Sequence, residues 1–219
     1  ADAPIQVVSA ATGDGVPALR ALLFQAATAA AQRTRTDAFF RMAIDRSFSL
    51  DGVGTVVTGT VHAGRVQVGD ELQLVPGGQQ VRVRSLHAQN QAVQHTGAGR
   101  RVAIGLVGID RQKIERGQWL AAPNAASAGS DRLDMTLTLW AGEAKPLRAG
   151  TPVHVHLGAA TTLGTVAVLD RVALMPGETG LVQLVLRQSI GAWHGDRVVL
   201  RDASATRTMA AYGESLNTV

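Results

Sequence analysis

From Phe39 to the end of the chain, apolar residues come in short alternating runs separated by turn-forming residues. "GTVVTGTV", "DELQLV", "QQVRVRSLHA", "RRVAIGLVGI" and "GQWLAA" follow one another at a spacing of roughly 8–12 residues, the rhythm of an all-β barrel or sandwich. "PNAASAGS" (Pro123–Ser130) is small and turn-forming and reads as a linker. A second β series follows it: "RLDMTLTLW", "TPVHVHLG", "TTLGTVAVL", "TGLVQLVLR" and "DRVVLRD". In "DMTLTLW" Met135, Leu137 and Leu139 fall on one face and Thr136 and Thr138 on the other, as a period of two requires. Gly is abundant at 24 residues and aromatics are only 4%, a balance that suits barrels, whose turns and bulges use glycine.

Residues 1–36 follow a different rhythm. "PIQVVSA" (Pro4–Ala10) reads as a buried strand and "TGDGV" as a turn. "PALRALLFQAATAAAQR" opens with Pro17, suited to a helix's first turn, and carries Leu19, Leu22, Leu23 and Ala26 at helical spacing. Strand, turn and helix make the last unit of an α/β domain rather than a domain of their own. "QRTRTDA" (Gln32–Ala38) is polar and reads as a linker, after which helical periodicity stops. The chain therefore divides into a remnant at 1–36, a β-domain at 37–123 and a second β-domain at 130–219.

There is no cysteine, which removes disulfides and thiolate metal sites and is compatible with a reducing cytoplasm. No apolar run reaches the ~18–20 residues that span a bilayer, and no charged-then-apolar leader opens the chain. The expectation is a cytoplasmic protein with no membrane partner. The net charge of +4 comes from arginine, since lysine occurs only at 113 and 145. Arginine makes planar contacts to phosphate and carboxylate, so a nucleic-acid partner stands beside a plain compositional bias.

Three features invite chemistry. Gly52-Val53-Gly54 resembles the start of a phosphate loop, but a dinucleotide-binding G-x-G opens a helix. Here β-branched "TVVTGTV" follows, so the glycines read as a loop or bulge between strands. His154 and His156 lie two apart in a strand and share a face, but no further ligand pattern accompanies them, so they read as a structural pair rather than a metal site. Asp45-Arg46 interrupts the apolar "MAIDRSF", and Arg100-Arg101 opens the apolar strand of "GAGRRVAIG". From the residues alone both read as solvated charges at strand edges. No nucleophile motif of the G-x-S-x-G, H-E-x-x-H or S-x-x-K type is present.

"AIDRSFSLDGVGTVVTGTVHAGRVQVGDELQL" and "GAGRRVAIGLVGIDRQKIERGQWLA" resemble the second domain of translational GTPases of the elongation factor Tu type. "FRMAIDRSF", "VVTGT", "VRVRSLHAQNQ" and "AGRRVAI" are similar, more narrowly, to the selenocysteine-specific elongation factor (SelB) family. LHAQNQ is the most specific of these segments. "PVHVH" and "DRVVLRD" are similar to that family's third domain, and "VVSAATGDGVPALRALL" to the end of its GTPase domain. The fold implied is mainly β: two consecutive elongation factor Tu-like β-barrels preceded by a strand-helix remnant of an α/β GTPase domain. One departure is the final "TMAAYGESLNTV", where the family has a run rich in small residues continuing into another apolar strand.

The resemblance also implies function. The intact factor would deliver selenocysteyl-tRNA to the ribosome in a GTP-dependent way, as a monomer, with GTP and Mg as cofactors. This fragment would hold no cofactor and no catalytic residue. Phosphate loop, switch regions and N-K-x-D are absent from it, so it should neither bind nor hydrolyse GTP. Ser9 and Ala10 match the last guanine-contacting motif. The mRNA insertion hairpin would be read by C-terminal domains beyond this chain. Asp45, Arg46 and Arg101 match the positions lining the aminoacyl pocket, where two guanidiniums would meet an ionised selenol. Asp45 would either orient an arginine or accept from the cargo's α-amino group. Leu50, Gly52, Val56 and His87 match the pocket for the terminal adenosine of tRNA, with Leu50 and Val56 as plain core the alternative. Two other readings keep the same barrels: the GTPase subunit of sulfate adenylyltransferase, and a structural barrel pair without a ligand site.

Overall fold

The computed structural model describes residues 5–32, 38–125, 129–204 and 208–218. The chain enters through α1 (Val16–Gln32), one residue ahead of Pro17, as the helical spacing predicts. The strand expected at Pro4–Ala10 is not formed over its described residues: Ile5–Ser9 pair with no strand, and Ile5 and Val7 are 93% and 82% exposed. A strand exists only where a neighbour accepts its hydrogen bonds, and none of the described strands pairs with this segment. Residues 33–37 of the first expected linker and 126–128 of the second lie outside the described residues.

The first barrel uses β1 (Arg41–Leu50), β2 (Gly54–Ala63), β3 (Arg65–Gln67), β4 (Glu71–Val75), β5 (Gln80–Ala88), β6 (Gln91–Val93), β7 (His95–Gly97), β8 (Arg101–Val107) and β9 (Trp119–Ala121). Its sheet runs β4-β9-β1-β2-β8-β5, with β6 beyond β5, and the β4–β5 pairing closes the ring. Inward residues such as Met42, Ile44, Val57, Leu86, Ile104 and Leu120 are fully buried. The second barrel uses β10 (Ser130–Leu139), β11 (Leu147–Arg148), β12 (Thr151–Leu157), β13 (Ala160–Val168), β14 (Ala173–Leu174), β15 (Thr179–Ile190), β16 (Val198–Asp202) and β17 (Thr208–Thr218). It closes in the order β10-β15-β13-β12-β16-β17. Met135, Leu137 and Leu139 are buried as the alternation predicts. The divergent "TMAAYGESLNTV" supplies β17, which pairs with both β10 and β16 and so completes the closure.

The two barrels share apolar contacts. Ala43, Val75, Trp119 and Ala121 of the first belong to the same buried cluster as the core of the second. At this seam Arg41 reaches Asp196 with a 2.6 Å ion pair. Its guanidinium lies 5.4 Å from the ring centre of Trp119 and 5.0 Å from that of Trp193. The indoles meet edge to face at 5.1 Å, and His62 meets Trp119 in the same manner at 4.8 Å. Burial lowers the basicity of His62, and the Arg41 charge lowers it further, against an opposing pull from Asp196.

Candidate functional site

The outer face of β1, β2, β8 and β5 gathers the residues the sequence singles out. Arg46 pairs with Thr58, Thr58 with Ala103, and Ala103 with His87, so these four form one row across the sheet. At about 4.8 Å per strand, the row spans about 14 Å from Arg46 to His87. The next row on the same face is Phe48, Val56, Gly105 and Ser85. Leu50 closes the β1–β2 hairpin opposite Gly54 and is 51% exposed.

Asp45 owes its position to a bulge. In β1 the register shifts between Ile44 and Arg46, which pair with consecutive residues Gly59 and Thr58, so Asp45 has no partner across the ladder. A bulge re-aims the extra side chain. Here the Asp45 carboxylate turns towards β8 and takes both terminal nitrogens of Arg101, one of them at 3.0 Å. Thr58 adds a third contact: its hydroxyl donates to Asp45 Oδ1 at 2.8 Å and lies 3.5 Å from Arg101 Nη2. The Arg101 hydrogen bonds hold the Asp45 carboxyl below the usual carboxylate range, against the opposing effect of burial, with the Thr58 hydrogen bond adding to the lowering. The same bond raises the Arg101 guanidinium further above its already high value.

Beside this clamp lies a cavity of about 440 Å³, lined among others by Thr58, His87, Gln89, Asn90, Arg100 and Arg101. That volume is in the range of small-ligand sites. Gln89 and Asn90 turn the β5–β6 hairpin with left-handed backbones, φ 51° and 62°. Among the described residues, neither Arg46 nor Arg100 makes a side-chain hydrogen bond or ion pair. The site therefore carries three guanidiniums and one carboxylate, and it favours an anion.

The structure brings Asp45 and Arg101 into contact and sets Arg46 next to their bridging threonine. His87 enters the same cavity as Arg101, whereas Leu50, Gly52 and Val56 do not line it. Gly52 sits in the β1–β2 turn with φ 75°, and its carbonyl accepts from Arg84 Nη2 at 3.1 Å. Val56 is buried although alternation turns it to the outer face with Thr58. The G-x-G is thus a turn between two strands, as its β-branched sequel predicts. Ser9 and Ala10 lie apart in the turn before α1, where Ser9 Oγ accepts from the Thr12 N–H at 3.2 Å. His154 contacts the Ala203 carbonyl at 3.2 Å and His156 the Thr161 hydroxyl at 3.1 Å. Thr58 and Arg84 were not singled out from the sequence. For Thr58 the available signal was its place opposite Arg46 once "FRMAIDRSF" and "GTVVTGTV" are paired as a hairpin.

Comparison with known proteins gives the family of the two barrels. Residues 134–213 match the model of the selenocysteine-specific elongation factor β-barrel domain, and residues 54–121 match that of elongation factor Tu domain 2. The selenocysteine-specific elongation factor of Desulfomicrobium baculatum is 36% identical over 208 residues, 95% of this chain and 32% of that protein. That of Escherichia coli strain K12 is 37% identical over 211 residues, 96% and 32%. The crystal structure of translation elongation factor SelB from Methanococcus maripaludis in its apo form superposes with a TM-score of 0.82 at 26% identity, covering 97% of this chain and 50% of that one. The chain spans about a third of the length of the curated relatives it matches. With each barrel matched to its own family model and nearly the whole chain aligned to these relatives, the chain belongs to the selenocysteine-specific elongation factor family.

Proposed function

We propose that these barrels are the tRNA-binding part of a factor that delivers selenocysteyl-tRNA to the ribosome in a GTP-dependent way. In this reading residues 37–123 and 130–219 are its second and third domains. Residues 1–36 end its GTPase domain. The chain itself performs no catalysis. Of a GTP and Mg²⁺ site it would contribute only the Ser9–Ala10 turn, whose Ser9 hydroxyl oxygen already accepts from a neighbouring backbone N–H.

One observation carries the reading: Arg101 is held by Asp45 at the rim of a cavity, beside Arg46 and Arg100, which make no side-chain hydrogen bond or ion pair among the described residues. A selenol ionises more readily than a thiol and far more readily than serine's hydroxyl, so the cargo arrives as an anion. Charge-assisted hydrogen bonds from guanidinium to anion contribute roughly 1.5–3 kcal/mol each. A seryl group offers no anion, so two such bonds correspond to discrimination on the order of 10²–10⁴-fold. The terminal adenosine would lie along the same face, against Leu50, Val56 and His87 near the Gly52 turn, since an apolar wall with a flat ring suits a stacked base. In the full-length protein, Arg101→Ala is expected to weaken selenocysteyl-tRNA binding much more than seryl-tRNA binding. Equal weakening of both, read as dissociation constants, would remove the selectivity role.

A further inference from the structure

We infer that Thr58 is a positioning residue for the anion pocket, acting through Asp45 on Arg101; the inference rests on the aminoacyl-pocket reading above. A guanidinium has five N–H donors in a fixed plane. In Arg101 both terminal nitrogens point at Asp45, and one also faces Thr58. That leaves two N–H groups with no protein partner among the described residues, on a side chain that is 55% exposed and lines the cavity. The direction of those two donors is fixed by the plane of the guanidinium, and that plane is fixed by the carboxylate.

What fixes the carboxylate is the threonine. Asp45 sits on a bulge, outside the β1–β2 ladder, so no pairing with a facing residue holds its backbone. Its side chain has two degrees of freedom and two anchors. One is Arg101, whose long side chain is itself 55% exposed. The other is Thr58 Oγ1, on the central strand β2, which donates to Oδ1 at 2.8 Å. Thr58 is β-branched and stiff at χ1, and its backbone is paired on both sides, with Arg46 and with Ala103. It is therefore the rigid end of the chain Thr58–Asp45–Arg101. Asp45 and Arg46 do not line the cavity, whereas Thr58 and Arg101 do. The carboxylate thus stands behind the guanidinium and supports it, and the cargo meets the guanidinium's other side.

A hydroxyl in this place serves a second purpose. It can donate to the carboxylate and accept from the guanidinium at once, which a methyl cannot do. Without it, Asp45 Oδ1 loses one of its two hydrogen bonds, and the clamp samples other orientations.

The test uses the full-length protein with GTP and both aminoacylated tRNAs. Thr58→Val removes the hydroxyl while keeping shape and branching, and Thr58→Ser keeps the hydroxyl. Thr58→Val is expected to weaken selenocysteyl-tRNA binding about tenfold, the worth of one hydrogen bond, and to leave seryl-tRNA binding unchanged. Thr58→Ser should restore most of the loss. In parallel, a ¹³C-carboxylate NMR titration of the same variants should show the Asp45 pKa rising in the valine form and returning in the serine form. A wild-type selectivity ratio in Thr58→Val would overturn the inference while leaving the pocket reading in place. So would equal weakening of both tRNAs without rescue by serine, which marks a packing role. Failure of the unaltered protein to prefer selenocysteyl-tRNA would instead remove the pocket reading and the inference with it.

Discussion

At the scale of single residues, the site shows how a charge pair acquires direction. Asp45 and Arg101 are 56 residues apart in sequence and in bidentate contact in the fold. The contact holds the Asp45 pKa below its ordinary value of 3.8. A carboxyl whose folded-state pKa is depressed stabilises the fold above the unfolded value and loses that contribution as pH falls through the folded one. The difference in unfolding free energy between the wild type and Asp45→Asn should therefore stay flat from pH 8 to pH 5. It should close only below about pH 3.8. Urea titrations across that range read it directly, and a difference that changes between pH 5 and pH 8 would contradict the clamp. Read without a fold, Asp45-Arg46 is an adjacent pair of charges in an apolar strand, and solvated edge charges are its plainest interpretation. Neither composition nor period can reveal that one of them is re-aimed by a bulge. The resemblance carried by IDRSF and AGRRVAI named the residues, and the structure adds the threonine between them.

At the scale of elements, the bulge depends on the strand beside it. Gly59 faces Ile44, where β1 departs from regular pairing, and a Cβ there would collide with the Ala43 carbonyl oxygen. Backbone cannot yield as a flexible side chain does, so Gly59→Ala must push β1 away from β2. Overpacking of this kind costs about 1–3 kcal/mol. The variant should lose that much in urea unfolding, and it should also lose the Asp45–Arg101 contact, visible as an Asp45 pKa returning towards 3.8. Unchanged stability would mean that the two strands tolerate a side chain here. Elements of this kind were unevenly legible. The strands of five or more residues in the body of each barrel declare themselves by alternation, with "DMTLTLW" the clearest. β3, β6, β7, β11 and β14 have two or three residues each, too few for a period of two to register. "PIQVVSA" misleads for the opposite reason: its composition is that of a strand, but a strand needs a partner, and no described strand pairs with Ile5–Ser9.

At the scale of the whole molecule, two closed barrels could behave as independent bodies, and the seam argues that these do not. Arg41 is 13% exposed and Asp196 8%, and they form an ion pair across the two barrels. The Asp196 carboxylate also accepts from the Trp193 backbone N–H at 3.0 Å, which locks the loop that carries the second indole. Trp119 and Trp193 stand on either side of the junction with the Arg41 guanidinium near both rings. Gly158 and Gly191 make room for Trp119, since a Cβ on either would meet its ring at 2.7 Å. The sequence alone does not reveal this seam, although two of the chain's three tryptophans, Trp119 and Trp193, meet there. Removing one partner of a buried pair costs about 3–5 kcal/mol, because the other charge is left without compensation. Arg41→Ala is therefore expected to uncouple the barrels. Calorimetry should show one unfolding transition splitting into two. Arg41→Lys separates charge from shape: it keeps the attraction to Asp196 but lacks the planar surface that stacks on indole. A lysine variant that melts like the wild type would assign the coupling to charge alone, and one that splits like the alanine variant would assign it to the stacked plane. A single unshifted transition in Arg41→Ala would show that the apolar contacts of Ala43, Val75 and Ala121 are sufficient to hold the barrels together.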